Sequence, residues 1–317
     1  MAAPTAALYE RLPYPADGVV RSTTARILDL GLRRHFPHLA TKEDLLIADM
    51  GCGTGEHTCG IARRFPDATV LAVDINGPSL RLAEDLARAN HLEIRFIRAD
   101  ITANLADRLD LIPEVQAGRK VDVVTSMGVL HHLERPAEGF RAIRECIADG
   151  GAFLCYIYSR FGRWEDIGVR DLLDRMLPVD DIENRYQYIT QLRLSYRHMI
   201  IDSAMRLYQR YKYGPPFTVR EFLRILVKRR RINHVSDSYS CPCETYYTFG
   251  ELREMVEDAG WQFVALAQNG GLPTRPEEFT NSRETLAYLR AMPRDLLYDF
   301  FAFKFGAPGF TFLLRPS

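Results

Sequence analysis

Short apolar runs alternate with amphipathic stretches over the first half of the chain. Runs of this length that end at glycines or acids are typical of strands buried on both faces of a parallel sheet. Periodic apolar positions between them predict helices through Ala62 and Arg64, over Pro78–Asn90 and over Pro136–Ala148. The predicted strands are Leu45–Met50, Ala68–Val73, Ile94–Ala99, Val121–Ser126 and Ala152–Tyr158.

The alternation stops near Tyr158, and residues 160 to 235 are predicted to form consecutive helices. The strand pattern then returns around a helix at Thr248–Ala259, with a strand at Trp261–Ala267, a helix at Arg283–Phe305 and a closing strand at Gly309–Leu314. We therefore predict an α/β fold with a doubly wound, mostly parallel seven-stranded sheet and helices on both faces. The predicted domains are an N-terminal helical segment at 1–44, a Rossmann-like core at 45–159, a helical insertion or substrate lid at 160–240 and a completion of the core at 241–317.

Charge and composition narrow the class of partner. Lys and Arg total 41 and so do Asp and Glu, whereas proteins that grip long nucleic acids usually carry a basic excess. No apolar run approaches the roughly 20 residues of a membrane helix. Cys241 and Cys243 lack two further ligands at zinc spacing, so we expect no metal and free thiols in a reducing compartment. We expect a cytoplasmic protein that binds neither nucleic acid nor membrane, and a homodimer is left open.

The sharpest chemical signal is a glycine-rich turn after the first predicted strand. It contains Asp49, Gly51, Gly53 and Gly55, and Asp74 ends the next strand where a ribose-binding acid belongs, roughly 20 residues on. Two ligands compete for this geometry, a dinucleotide and S-adenosylmethionine (SAM). The residue after Gly55 is Glu56, and a carboxylate is unfavourable beside a pyrophosphate but compatible with the cationic sulfonium of SAM. The pattern therefore favours SAM over NAD.

Several segments together resemble the motifs of class I SAM-dependent methyltransferases. The resemblance covers roughly residues 40–158 and 245–315, and it is specific for fold and cofactor but nearly silent about the methyl acceptor. In particular, the helix-to-strand step at 144–158 has Ala148-Asp149 where that family usually has Lys-Pro. The matching segments are Ile47–Thr58, Val73–Ile75, Ala99–Ile101, Val121–Leu133, Arg144–Tyr158 and Tyr247–Phe263.

The resemblance implies a role for each matching position in binding SAM and its product S-adenosylhomocysteine (SAH). The three glycines would lie under the methionine moiety, and Asp49 would suit the cationic ligand. Asp74 would accept both ribose hydroxyls, and Asp100 would accept the adenine amino group. The adenine ring would lie between Ile75 and Ile101, with Met127 facing the sulfonium. Tyr14, in a stiff Leu-Pro-Tyr-Pro segment, is a candidate to close over the cofactor or else an N-terminal packing anchor.

Candidate acceptor-side residues come from the carboxyl ends of strands, where ligands of open α/β sheets bind. His131 or His132 is a candidate base, with a packed turn as the alternative, and Tyr158 is a third catalytic candidate. Tyr156, Tyr239 and Glu244 are candidates for binding the substrate, the last two on the segment that re-enters the core. The predicted insertion also carries Tyr186, Tyr188, Tyr196, Tyr208, Tyr211 and Tyr213, which suit either a substrate pocket or a helical core, and a Lys228–Arg231 run.

Three functions remain open on the sequence. The first is methyl transfer to an oxygen or nitrogen of a small molecule, perhaps in natural product biosynthesis. The second is methyl transfer to a protein or peptide, with the tyrosine-rich helices as a docking face. The third is a SAM-fold cyclase or binding protein that transfers no methyl group.

Overall fold

The computed structural model describes residues 3–110, 112–191, 232–267 and 273–317. Its centre is a seven-stranded sheet in the order β3-β2-β1-β4-β5-β7-β6. The first five strands pair in parallel, and β7 is antiparallel to both β5 and β6. The predicted α/β fold with a mostly parallel sheet is confirmed. The strands are β1 (Leu46–Met50), β2 (Thr69–Asp74), β3 (Arg95–Arg98), β4 (Val121–Met127), β5 (Ile147–Tyr158), β6 (Trp261–Leu266) and β7 (Gly309–Pro316).

Helices account for most of the remaining described chain. In chain order, those before the sheet's fifth strand are α1 (Ala3–Arg11), α2 (Thr23–His35), α3 (Pro37–Ala40), α4 (Glu56–Arg64), α5 (Gly77–Ala89), α6 (Leu105–Leu109), α7 (Pro113–Gln116) and α8 (Pro136–Cys146). Those after it are α9 (Trp164–Met176), α10 (Ile182–Gln191), α11 (Ile232–Tyr239), α12 (Phe249–Asp258), α13 (Pro276–Phe279), α14 (Arg283–Ala291) and α15 (Arg294–Phe305).

Neighbouring residues of β5 show that both faces of the sheet are covered. Leu154 packs into a buried cluster with Leu28 of α2 and Ile61 of α4. Phe153 points to the opposite face, where its ring centroid lies 5.9 Å from that of Phe140 in α8. This alternation explains why the strands read as continuous apolar runs, because each of their two faces meets a helical layer.

Two boundaries differ from the sequence expectation. The sequence predicts a helix over Pro136–Ala148 and a strand at Ala152–Tyr158, with Gly150 and Gly151 between them, but α8 ends at Cys146 and β5 already begins at Ile147. Ile147 pairs with Val121, and the register then shifts so that Val123 pairs with Ala152. The glycine pair therefore lies inside a strand irregularity. The helix expected at Arg283–Phe305 is two helices, divided at Met292 and Pro293, because proline cannot continue a helix interior.

The chain divides into two compact units, and the sheet lies in the first, formed by residues 1–159, 243–269 and 309–317. Residues 160–242 and 270–308 form the second, so residues 270–308, which we expected to complete the core, group with the insertion instead. Aromatic contacts among Phe279, Phe300 and Phe305 hold α13 and α15 together there. That the insertion acts as a substrate lid stays a prediction. Tyr196, Tyr208, Tyr211, Tyr213 and Lys228–Arg231 lie outside the described residues.

Two further expectations concern the cysteines and the presence of membrane helices. All six cysteines are free. Among the described residues, no helix combines the length and apolar character needed to cross a membrane.

Candidate functional site

The glycine-rich turn between β1 and α4 leaves no space for a side chain at Gly51 or Gly53. Gly51 has φ +77°, and a Cβ there would lie 2.3 Å from a side-chain carbon of Val129. At Gly53, with φ +55°, a Cβ would lie 2.5 Å from the carbonyl oxygen of Tyr14. Both positions require glycine, since positive φ and close approach coincide. The turn thus presents bare backbone at the carboxyl edge of the sheet.

Asp74, at the end of β2, faces this turn. One of its carboxylate oxygens accepts a hydrogen bond from the Gly53 N–H at 2.8 Å, and the other accepts from the Asn76 N–H at 2.8 Å. Each carboxylate oxygen has a second lone pair, so two further hydroxyl donors can be accommodated. Burial raises the pKa of Asp74 above its ordinary value, although the backbone hydrogen bonds oppose this. The geometry fits a diol such as ribose.

Next to Asp74, the ends of β2 and β3 border a cavity of about 710 Å³. Ile75, Phe96 and Asp100 line it, together with Asn104 before α6 and Arg108 within it. One oxygen of the Asp100 carboxylate accepts 2.8 Å hydrogen bonds from the N–H and hydroxyl of Thr102. Ligand pockets typically occupy about 300–1,000 Å³, so this cavity can hold a heterocycle. Ile101, the other residue predicted to flank the adenine, is 7% exposed.

Asp49 lies in β1 beneath the turn and is held by the protein itself. Its two carboxylate oxygens accept hydrogen bonds from the hydroxyls of Thr58 and Thr125. It is 3% exposed, and burial raises its pKa against those hydrogen bonds. Its predicted contact with a cationic ligand stays a prediction, because the observed role is to tie β1, β4 and α4 together.

Glu56 has a role that the sequence did not reveal. Its buried carboxylate accepts hydrogen bonds from the N–H groups of Asp17 and Gly18, at 2.9 and 3.2 Å, and from the hydroxyl of Thr54. The Tyr14 carbonyl in turn accepts from the Thr54 N–H at 3.2 Å. The start of α4 thus carries a buried carboxylate that fastens the N-terminal segment over the glycine turn. This arrangement places Tyr14 beside the turn and disfavours a pyrophosphate at the helix N-terminus.

A second group of side chains lies where β4 and β5 end, and we call it the His–Tyr cluster. His131 and His132 are in a short 3-10 turn, and both are at most 2% exposed. The His131 ring stacks on Tyr158 with centroids 3.7 Å apart, and Tyr158 also packs edge-on against Tyr156 at 5.8 Å. The members of the His–Tyr cluster are Tyr9, His131, His132, Tyr156, Tyr158, Glu244 and Tyr246.

Hydrogen bonding fixes the proton arrangement of His132. Its Nδ1 lies 3.1 Å from the carbonyl oxygen of Cys243, which can only accept, so Nδ1 carries a proton. In the neutral ring Nε2 is then the basic nitrogen, and it lies 3.4 Å from the Tyr9 hydroxyl. A backbone carbonyl that orients one ring nitrogen while the other can take a proton is the arrangement of a general base.

The segment that re-enters the core brings Glu244 to the histidines. The Thr245 N–H donates to the His131 carbonyl at 2.9 Å, and the Tyr247 N–H donates to the Tyr158 carbonyl at 3.1 Å. The Tyr246 hydroxyl donates to the Glu244 carboxylate, and the Tyr246 ring stacks on Tyr158 with an interplanar angle of 15°. The predicted residues His131, His132, Tyr156, Tyr158 and Glu244 are therefore brought together.

Sequence reasoning missed Tyr9 and Tyr246 as members of this cluster. Tyr246 is two residues beyond Glu244, so an extended segment places both on one side, and this period was an available signal. Tyr9 lies on α1, more than a hundred residues from its neighbour His132. Nothing in the local sequence indicates that contact.

His131, His132 and Glu244 are also the described trio best placed to bind a metal ion, because one potential ligand atom from each lies within 4.8 Å of the others. The observed contacts favour proton chemistry instead. His132 is hydrogen-bonded to the Cys243 carbonyl and the Tyr9 hydroxyl, and a phenol donates to Glu244, so two of the three groups already have hydrogen-bond partners.

Tyr239 lies in the second unit, in the core formed with Leu173 and Ile189. It is 1% exposed, and its hydroxyl donates to Asp166 at 2.6 Å. Its observed contacts are those of a core residue, and its predicted substrate role stays a prediction.

The glycine turn and the His–Tyr cluster meet at the end of β4. Val129 packs on Gly51, and the Gly128 N–H donates to the Tyr156 carbonyl at 3.2 Å. Gly128 has φ +85°, and a Cβ there would lie 3.9 Å from the Tyr156 ring. Met127, predicted to face the sulfonium, directly precedes it. A reacting group held by the turn would therefore lie near the cluster.

Part of the chain is similar to known proteins. Residues 47–151 match the model of a family described as a methyltransferase domain. An uncharacterized protein from Synechococcus sp. is 25% identical over 240 residues, 76% of this chain and 52% of that protein. A malonyl-[acyl-carrier protein] O-methyltransferase from Halalkalibacterium halodurans is 31% identical over 123 residues, 39% of this chain and 41% of that enzyme.

Among solved structures, PKMT2 from Rickettsia typhi in complex with AdoHcy has a TM-score of 0.61 at 13% identity, covering 96% of this chain and 55% of that one. At this identity the likeness shows a shared fold. The chain spans about half the length of the Synechococcus protein and of PKMT2.

Proposed function

We propose that this chain, whose residues 47–151 form a class I SAM-dependent methyltransferase domain, transfers a methyl group from SAM to an oxygen or nitrogen of its acceptor. The family and the cofactor predicted from the motifs are confirmed by the domain match and the fold. We also propose that the acceptor belongs to natural product biosynthesis and that the protein is cytoplasmic. The observation that carries it is the meeting of the glycine turn and a histidine-containing cluster at the end of β4.

The residues around the turn fit SAM. Asp74 would hold the ribose hydroxyls on its two remaining lone pairs, and Ile75 and Asp100 line a cavity suited to adenine. Gly51 and Gly53 leave the backbone bare for the methionine moiety. When bound, SAM supplies an activated methyl group, so the protein's task is largely positioning.

The His–Tyr cluster would hold the acceptor. An acceptor that arrives protonated must lose a proton, and His132 Nε2 is the oriented basic nitrogen of the cluster. The stacked rings of His131 and Tyr158 are buried, and we propose that they keep water away from His132 Nε2. His132 would therefore take the proton, while Tyr156 and Tyr158 position the acceptor.

Calorimetric titration with SAH tests the cofactor half of the proposal. We expect Asp74→Ala to weaken SAH binding by roughly 10- to 100-fold, because each ribose hydroxyl left without its partner costs about 1–3 kcal/mol. Asp67→Ala, at an exposed position in the turn before β2, is the matched control and should bind as the native protein does. Equal SAH affinity in both variants, or binding of NADH in place of SAH, would contradict the proposal.

A further inference from the structure

The His–Tyr cluster has an electrostatic character that distinguishes between acceptors. It combines one carboxylate, Glu244, with the faces and edges of several aromatic rings. Glu244 accepts a hydrogen bond from the neutral phenol of Tyr246, and this contact adds no positive charge. We propose that the acceptor is an amine that binds as its ammonium ion, an inference that rests on the proposed methyltransferase function.

The carboxylate and the tyrosine rings of the cluster suit an ammonium ion. A carboxylate attracts it by charge, and the faces of tyrosine rings attract cations through their quadrupoles. Tyr158 and Tyr246 stack nearly parallel with centroids 6.3 Å apart, and Tyr156 meets Tyr158 edge-on. Tyr158 contacts the rings of His131, Tyr156 and Tyr246 and is buried, whereas Tyr156, Tyr246 and Glu244 are partly exposed. The tyrosine rings and the carboxylate that a ligand can reach are therefore those of Tyr156, Tyr246 and Glu244.

The charge that develops during reaction also favours nitrogen. Attack by an amine builds positive charge on the nitrogen, which Glu244 and the tyrosine rings stabilise. A hydroxyl acceptor must lose its proton, and this loss builds negative charge on oxygen, which the Glu244 carboxylate opposes. An oxygen acceptor would be better served by backbone or cationic donors than by an anionic, aromatic site.

The proposed methyl transfer to an amine uses His132 as the proton acceptor. The ammonium transfers one proton to His132 Nε2, which becomes an imidazolium, while Nδ1 keeps its hydrogen bond to the Cys243 carbonyl. The nitrogen lone pair then forms a bond to the methyl carbon as the carbon–sulfur bond breaks, and the electron pair of that bond stays on sulfur. The products are a methylated ammonium and SAH, and His132 returns its proton to solvent.

A size-matched pair of probes tests the inference on the SAH-loaded protein. Phenethylamine is an ammonium at neutral pH, and 2-phenylethanol is its neutral analogue. We expect the amine to bind at least about tenfold more tightly, and Glu244→Gln to remove most of that preference while leaving 2-phenylethanol binding unchanged. Glu254→Gln, at an exposed position on α12, is the control and should keep the preference.

The outcomes separate the inference from the function on which it rests. Normal SAH binding with equal affinity for the two probes, with no amine binding, or with an equal effect of Glu244→Gln on both probes overturns the inference alone. Failure of the native protein to bind SAH overturns the proposed function and the inference with it. Retained SAH affinity in Glu244→Gln shows that the variant is folded, and Tyr246→Leu, which should also weaken only the amine, provides a second variant.

Discussion

The cofactor side and the acceptor side of this site are built in different ways. The cofactor side consists of backbone and strand ends: Gly51 and Gly53 shape a turn, and Asp74 is fixed by two backbone N–H groups. The acceptor side consists of side chains contributed by α1, by the ends of β4 and β5 and by the re-entering segment at 243–247. The first depends on local backbone geometry and the second on tertiary packing.

This difference has a physical consequence for specialisation. A turn that requires glycine at two positions tolerates few changes, so it suits a ligand that never changes. A cluster assembled from separate segments can exchange one tyrosine or acid without disturbing the sheet, so it suits an acceptor that differs from protein to protein. We expect variants of the two sides to fail in different measurements.

The largest effect should come from His132→Ala. We expect kcat to fall by roughly 10²- to 10⁴-fold because the oriented proton acceptor is lost, while SAH affinity stays unchanged. Single-turnover assays of SAH formation with the native acceptor, alongside SAH calorimetry, provide the two readouts. A loss confined to KM, or an activity reduced less than about tenfold, would show that positioning rather than proton transfer limits the reaction.

The next effect is a pH dependence on the cofactor side. The ionised Asp74 carboxylate accepts ribose hydroxyls, whereas the protonated form loses acceptor capacity, so SAH affinity should fall as pH decreases through the Asp74 pKa. Because burial raises that pKa, the fall should begin at a higher pH than for an ordinary aspartate, whose pKa is about 3.9. We expect at least a tenfold loss by calorimetry at acid pH. Asp74→Asn should bind weakly with no such dependence, and a matching pH curve for that variant would contradict the assignment.

A smaller effect tests the requirement for glycine in the turn. Gly53→Ala should lower the free energy of unfolding by about 1–3 kcal/mol, because the new Cβ combines positive φ with a clash against the Tyr14 carbonyl. Gly118→Ala is the matched control: its φ is +85°, but nothing lies within 4 Å of the added Cβ. It should cost only about 1 kcal/mol. Equal losses in urea unfolding would show that contact with the N-terminal segment contributes nothing.

The same contrast explains what the sequence could predict. The order of strands and helices in the first unit and the glycine turn with Asp74 depend on local patterns, and these are visible in apolar runs and spacing. The burial of Glu56 under the Asp17 and Gly18 amides could not be predicted, because it depends on how the N-terminal segment returns to α4.

The acceptor side was predictable only in part. His131, His132 and Tyr158 follow strand ends, which is a local signal, and Glu244 lies on a segment that returns to the core. The contact of Tyr9 with His132 joins distant parts of the chain, and no periodicity encodes it. The break at Pro293 was a visible signal that the apolar pattern of the two flanking helices obscured.

Hydrogen exchange on addition of SAH tests most directly the claim that the two sides divide the work. Exchange should slow at residues 51–56 and 74–77, where the Gly53 and Asn76 N–H groups bond Asp74, and at residues 99–104 beside the cavity. Residues 243–247 of the acceptor side should exchange as before, because SAH alone does not occupy the His–Tyr cluster. Slowed exchange at 243–247 with none at 51–56 would contradict the assignment of the two sides.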